Sequence, residues 1–192
     1  VILDEWGPTQ IPDGVSDEQA ALCEPTAIGV HAVRKSALKI GDSVVVVGAG
    51  PIGLFCIQVA KAAGASKVIV FEPTQVRANA AAQVGADVVL NPLEGDPVAM
   101  AVELTDGIGP DLVFDCAGVK STLDQSFSMV RRDGQVMLVA VIWEEIPLLP
   151  VDWEAREVSM QVSFSSDPDD WRIALDLFKA GKVNIGPMLS ED

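Results

Sequence analysis

The residues Gly48-Ala49-Gly50-Pro51-Ile52-Gly53 follow a run of valines and precede an alanine-rich stretch, and Glu72 stands 19 positions beyond the last glycine. Glycines at this spacing suit the holding of a pyrophosphate by bare backbone. The first permits a tight turn, the second lets the phosphates approach, and the third lets helix and strand pack closely while the helix N-terminus faces the negative charge. An ordinary glycine-rich bend shares the spacing; the strand before, the helix after and the acid downstream set this one apart. The expected cofactor contacts on the turn are Gly48, Gly50, Pro51 and Gly53. Glu72 is expected to accept hydrogen bonds from the ribose hydroxyls and to repel a 2′-phosphate, and position 73 is proline rather than arginine, so NAD is favoured over NADP. Arg77, one turn into the next helix, either reaches the ribose or faces solvent.

The elements that position these residues alternate. Short β-branched runs at Ser43–Val47, Lys67–Phe71, Ala86–Leu90, Asp111–Asp115, Gln135–Ala140 and Val158–Phe164 read as strands. Helical stretches at Ile52–Ala63, Gln75–Val84, Pro97–Thr105 and Ser121–Val130 separate them. The early strands are continuously apolar, as when helices cover both faces of a parallel sheet. The expected fold is α/β, a Rossmann doubly wound six-stranded parallel sheet in the order 3-2-1-4-5-6. Upstream, Ser16 and Gln19 form a capping-box pattern, Pro25 is expected to interrupt the helix, and a second helical stretch runs to about Ser36. Trp143 to Pro147 and Pro150 read as a loop. A last helix from about Asp169 to Ala180 stops at Gly181.

Composition narrows the class. The chain has 192 residues, 49% of them apolar and 21% charged, which suits one soluble domain. A net charge of −15 repels phosphate backbones and argues against nucleic acid as a partner. No apolar run reaches the roughly 20 residues of a membrane span, and no leader pattern opens the sequence. Cys23, Cys56 and Cys116 are widely spaced and His31 is the single histidine, so neither a disulfide framework nor a self-contained zinc site is expected. The compartment reads as reducing and cytoplasmic. His31, on an apolar helical stretch, reads as a packing residue.

The segment IPDGVSDEQAALCEPTAIGVHAVRKSALKIGDSVVVVGAGPIGL resembles the medium-chain, zinc-dependent alcohol and polyol dehydrogenases, as do FEPTQVRANAAAQVGADVVLNP and PDLVFDCAG. Glu24-Pro25 followed by Gly29-Val30-His31-Ala32 is similar to the sorbitol, threonine and 2,3-butanediol branch, and VAVIWEEIPL to its butanediol group. The resemblance implies a two-domain enzyme in which a GroES-like domain carries catalytic zinc. This sequence lacks that domain's cysteine and histidine-glutamate ligands, its four-cysteine structural lobe and the C-terminal return. Residues 1–15 are then the tail of the catalytic domain or a linker, 16–181 the NAD-binding Rossmann domain and 182–192 the start of the return. Both ends look cut, and a fragment inactive by itself is expected.

Carried over residue by residue, the resemblance puts Glu24 at the catalytic zinc of an intact enzyme, against a plain helix N-terminal carboxylate. Thr26 would lie near the nicotinamide, or cap its helix. Ile52 would pack beside the cofactor. Cys116 and Ala117 lie at the carboxyl edge of the fourth strand, Cys116 as inert packing rather than a nucleophile. Val139, Ala140 and Val141, with Ser163 and Phe164, match positions whose backbone contacts the nicotinamide amide, although Phe164 could equally be core. The implied reaction is hydride transfer between NAD(H) and a secondary alcohol or vicinal diol. The zinc-free quinone or enoyl reductases, using NADPH, and a non-catalytic dinucleotide module are the other classes. A homodimer through the edge strand 158–164 is implied, unless Trp153 and its loop cover that edge within one subunit.

Overall fold

The computed structural model describes residues 9–189, so residues 1–8 and 190–192 of the two expected terminal segments lie outside the described residues. Six strands, β1 (Ser43–Val47), β2 (Lys67–Phe71), β3 (Val88–Leu90), β4 (Leu112–Asp115), β5 (Gln135–Leu138) and β6 (Ser159–Val162), pair in parallel in the order 3-2-1-4-5-6. Helices α3 (Pro51–Ala62), α4 (Gln75–Gln83), α5 (Pro97–Glu103), α6 (Lys120–Met129) and α7 (Val151–Glu154) link successive strands. Before the sheet come α1 (Asp17–Ala21) and α2 (Cys23–Lys35), and after it α8 (Pro168–Lys179). The doubly wound sheet expected from the sequence is the one observed.

The valine run of β1 is buried because it feeds two cores. Val44 and Val46 pack with Val30 of α2, Leu54 of α3 and Phe178 of α8, whereas Val45 and Val47 pack with Leu123 and Phe127 of α6. Burying each such side chain stabilises by roughly 1.5–3 kcal/mol, which anchors the end of β1 from which the glycine turn springs.

Departures from expectation are local. Helices α1 and α2 divide at Leu22, not at Pro25; Pro25 sits in the first turn of α2, where its missing N–H has no helical acceptor to leave unpaired. β5 ends two residues early because the N–H groups of Val139 and Ala140 both donate to the Asp115 carbonyl, so the chain leaves the regular ladder. β3 begins late because the Asp87 carboxylate accepts from Val68 N and pairs with Lys61, doing locally what a ladder would. The single turn α7 was not expected; Trp153 on it stacks against Phe127 with ring centroids 4.6 Å apart. α8 ends as expected, with Gly181 at φ 63° beyond the last turn.

Candidate dinucleotide site

At β1 the strand order reverses: β2 lies on one side and β4 on the other. Ligands of open α/β sheets bind in the crevice outside the carboxyl ends at such a point. A cleft of about 480 Å³ opens there, and Gly48, Gly50, Glu72, Arg77, Cys116 and Ala117 all line it. A second cavity, of about 340 Å³, between Ile11, Cys23 and Trp171 contains none of the expected cofactor residues.

Steric contacts fix the shape of the turn. A Cβ at Gly53 would stand 2.0 Å from the Gly48 carbonyl oxygen, so helix and strand meet through bare backbone. Gly48 has φ 91°, and a Cβ there would lie 3.3 Å from Ala117. Gly118, at φ 69°, comes closer still to Ala140, where a Cβ would sit 2.6 Å from that residue's own Cβ. The ends of β1, β4 and β5 thus touch in sequence along one edge.

Glu72 is buried at the foot of the cleft. Its Oε2 accepts from Ala49 N and its Oε1 from Thr74 N, both at 2.8 Å, tying the glycine turn to the entrance of α4. Each oxygen keeps a further acceptor position. Sequence reasoning missed this clamp and a second one. Asp115 is fully buried, and its Oδ1 accepts from Ala117 N at 3.0 Å and Gly118 N at 2.9 Å while Thr122 Oγ1 donates to both oxygens. Burial pushes the Asp115 carboxyl above its ordinary value against those bonds. An acid closing the apolar run Leu112–Phe114 was the available signal.

The remaining expected residues lie outside the cleft lining. Pro51 is the exposed first residue of α3, and Ile52 packs against the core. Val139 is buried, Ala140 half-buried and Val141 exposed, all just past β5. Past β6, Phe164 is 76% exposed and is not a core residue. Its neighbour Ser163 is buried, and its Oγ has no partner among the described residues, an unmet polar atom that a ligand amide would satisfy. Bare glycines at the turn and this orphaned hydroxyl further along the same edge fit a dinucleotide.

The residues do not fit zinc. Glu24 is exposed in the first turn of α2, and one carboxylate is not a four-coordinate site. The cluster of potential metal donors among the described residues is His31, Asp167 and Asp170, and Arg34 already occupies Asp170 at 2.5 Å. His31 Nδ1 lies 2.7 Å from Asp170 Oδ2, so the ring expected only to pack is engaged in a buried hydrogen bond. Thr26 is buried with Oγ1 donating to the Leu22 carbonyl at 2.7 Å.

Fold and cleft define a dinucleotide-binding α/β domain. Residues 51–180 match the zinc-binding dehydrogenase family, and the chain belongs to it. It is 37% identical over 186 residues to sorbitol dehydrogenase of Halalkalibacterium halodurans, covering 95% of this chain and 54% of that protein. The crystal structure of 2R,3R-butanediol dehydrogenase from Bacillus subtilis superposes with a TM-score of 0.89 at 33% identity, over 95% of this chain and 52% of that one. A protein from Sinorhizobium meliloti 1021 described as a zinc-binding dehydrogenase, bound to NADP, gives a TM-score of 0.88 at 34% identity, over 95% and 54%. The chain therefore spans about half the length of these relatives.

Proposed function

We propose that this chain holds the nicotinamide dinucleotide of an NAD-linked dehydrogenase acting on a secondary alcohol or vicinal diol. The observation that carries this is the glycine turn at the strand-order reversal, with α3 starting directly on it and Glu72 beneath. When bound, the nicotinamide supplies the hydride chemistry. The chain's own work is to bind and orient. Backbone N–H groups of the turn and the start of α3 face the diphosphate, and Glu72 uses its spare acceptor positions on the ribose. Val139–Val141 and Ser163–Phe164 border the nicotinamide. A zinc ion near Glu24 would need donors beyond the described residues, so no step is assigned to it.

A specific observation favours NADP as a second reading. Arg77 lines the cleft and takes part in no ion pair among the described residues, and the Sinorhizobium relative was crystallised with NADP. Glu72, a buried acid at the expected ribose position that already accepts from Ala49 N and Thr74 N, weighs the other way. Titrating NADH and NADPH into the chain separates them: NADH is expected to bind about tenfold or more tightly, the worth of one misplaced charge contact. Equal or tighter binding of NADPH, lost in Arg77→Ala, would reverse the assignment, and binding of neither would remove the dinucleotide reading. The 192-residue chain is expected to turn over neither butanediol nor sorbitol; measured turnover would show that the reacting groups are all within it. We place the protein in the cytoplasm on its three free cysteines, and no helix among the described residues is long and apolar enough to cross a membrane.

A further inference from the structure

The close approach that the glycine turn makes possible has brought two thiols together. Cys56 lies one turn beyond Gly53 on α3 and is fully buried; Cys116 directly follows β4 and lines the cleft. A Cβ on Gly53 would stand 3.6 Å from the Cys116 Cβ, and the two sulfurs are 3.9 Å apart. We propose that Cys56 and Cys116 are a modification site, a dithiol that hydrogen peroxide closes to a disulfide, weakening dinucleotide binding at the adjoining turn. The effect on binding rests on the dinucleotide reading above; formation of the bond does not.

The chemistry balances with the peroxide as oxidant. The Cys116 thiolate attacks one peroxide oxygen, the O–O bond breaks, and the departing hydroxide takes up a proton as water, leaving a sulfenic acid. The Cys56 sulfur then attacks the Cys116 sulfur, the S–O bond breaks, a second water leaves and the S–S bond forms. Cys116, read from the sequence as inert packing, reacts first because it faces the cleft, while Cys56 is wholly enclosed in the core. Contact with Cys56, and then burial, push the Cys116 thiol well above its ordinary value. Thiolate is therefore scarce at neutral pH, and closure is slow there and speeds up by about tenfold per pH unit in mild alkali. A disulfide draws sulfurs to about 2.05 Å, so the pair closes by about 1.9 Å. Side-chain rotation takes up part of this, and the start of α3 moves for the rest. Gly53 and Gly48 have no slack to absorb such a movement, so the phosphate-binding turn shifts with it. In a reducing compartment such a bond is transient, as befits a sensor rather than a staple.

The test treats the 192-residue chain with hydrogen peroxide, then counts thiols after unfolding, maps peptides by mass spectrometry and titrates NADH. One free thiol, Cys23, is expected in place of three, with a mass lower by two hydrogens and one peptide joining Cys56 to Cys116. NADH affinity is expected to fall about tenfold or more, as ångström-scale misplacements do, and to return with dithiothreitol. Saturating NADH should slow closure, because it covers Cys116. Cys56→Ala should form no cross-link; if that variant does not fold, the wild-type peptide map decides alone. Three surviving thiols, a linkage through Cys23, or a cross-linked chain with unchanged NADH affinity would each overturn the proposal. Failure of the reduced chain to bind NADH would instead overturn the dinucleotide reading, with cross-linking still readable by mass.

Discussion

Two glycines of one turn carry different burdens. A Cβ on Gly53 meets the Gly48 carbonyl at 2.0 Å, a contact that only backbone movement relieves. A Cβ on Gly50, whose φ is −67°, meets nothing within 4 Å. The fold therefore needs the glycine at 53, while the one at 50 is needed only by what lies against it. Gly53→Ala is expected to lose about 1–3 kcal/mol in urea unfolding, the cost of overpacking, and NADH binding with it. Gly50→Ala should stay within about 1 kcal/mol of wild type, since it sits at a helix N-cap, yet also lose NADH binding. A Gly50→Ala chain that binds NADH normally would mean the diphosphate does not approach there. The difference between these positions follows from motif spacing alone. The bonds Glu72 makes to Ala49 and Thr74 do not, because they depend on how two loops close over one side chain.

Among the elements, α2 and α8 are joined by charge as well as by packing. The Asp170 carboxylate is fully buried, accepts from Asp167 N and pairs with His31 on one oxygen and Arg34 on the other. Burial raises its pKa, but the Asp167 N–H, Arg34 and His31 together pull it below the ordinary value. Asp111 is lowered in the same way, its burial outweighed by Arg131 and Ser43. For a carboxylate whose folded value is depressed, the stabilisation is present above its unfolded value, 3.8 here, and is lost as pH falls through the folded one. Melting temperature should accordingly fall steeply below about pH 4, and less steeply in Asp170→Asn, which has one such carboxylate fewer. At neutral pH, Asp170→Ala should cost about 2–4 kcal/mol, short of a fully buried pair because Arg34 is half exposed. Equal acid slopes in the two chains would show that Asp170 does not titrate with unfolding. None of this joint is visible in sequence, since His31 and Asp170 stand 139 positions apart. Strand order and helix positions were legible because burial on both faces writes an unbroken apolar run. Element ends were not, because local bonds such as those to the Asp87 carboxylate and to the Asp115 backbone carbonyl decide them.

At the scale of the whole molecule the sheet has an unsatisfied side. β6 is one of its two outer strands, and Met160 and Val162 on it and Phe164 just past it are 39%, 50% and 76% exposed. Trp153 does not shield them, since its ring lies on Phe127 of α6. An exposed apolar edge is a template for pairing with another strand, and natural proteins cover such edges or use them. The loop Val141–Leu149 adds Trp143, 92% exposed, to the same carboxyl-edge region. A second copy meeting the first across a two-fold axis would pair β6 with β6 and cover this row in both. Light scattering should therefore give about twice the 20.3 kDa of one chain, and Val162→Lys, which puts an ammonium group on that edge in both copies, should give monomers that still bind NADH. A wild-type chain that stays monomeric over a wide concentration range would overturn the pairing of β6 with β6.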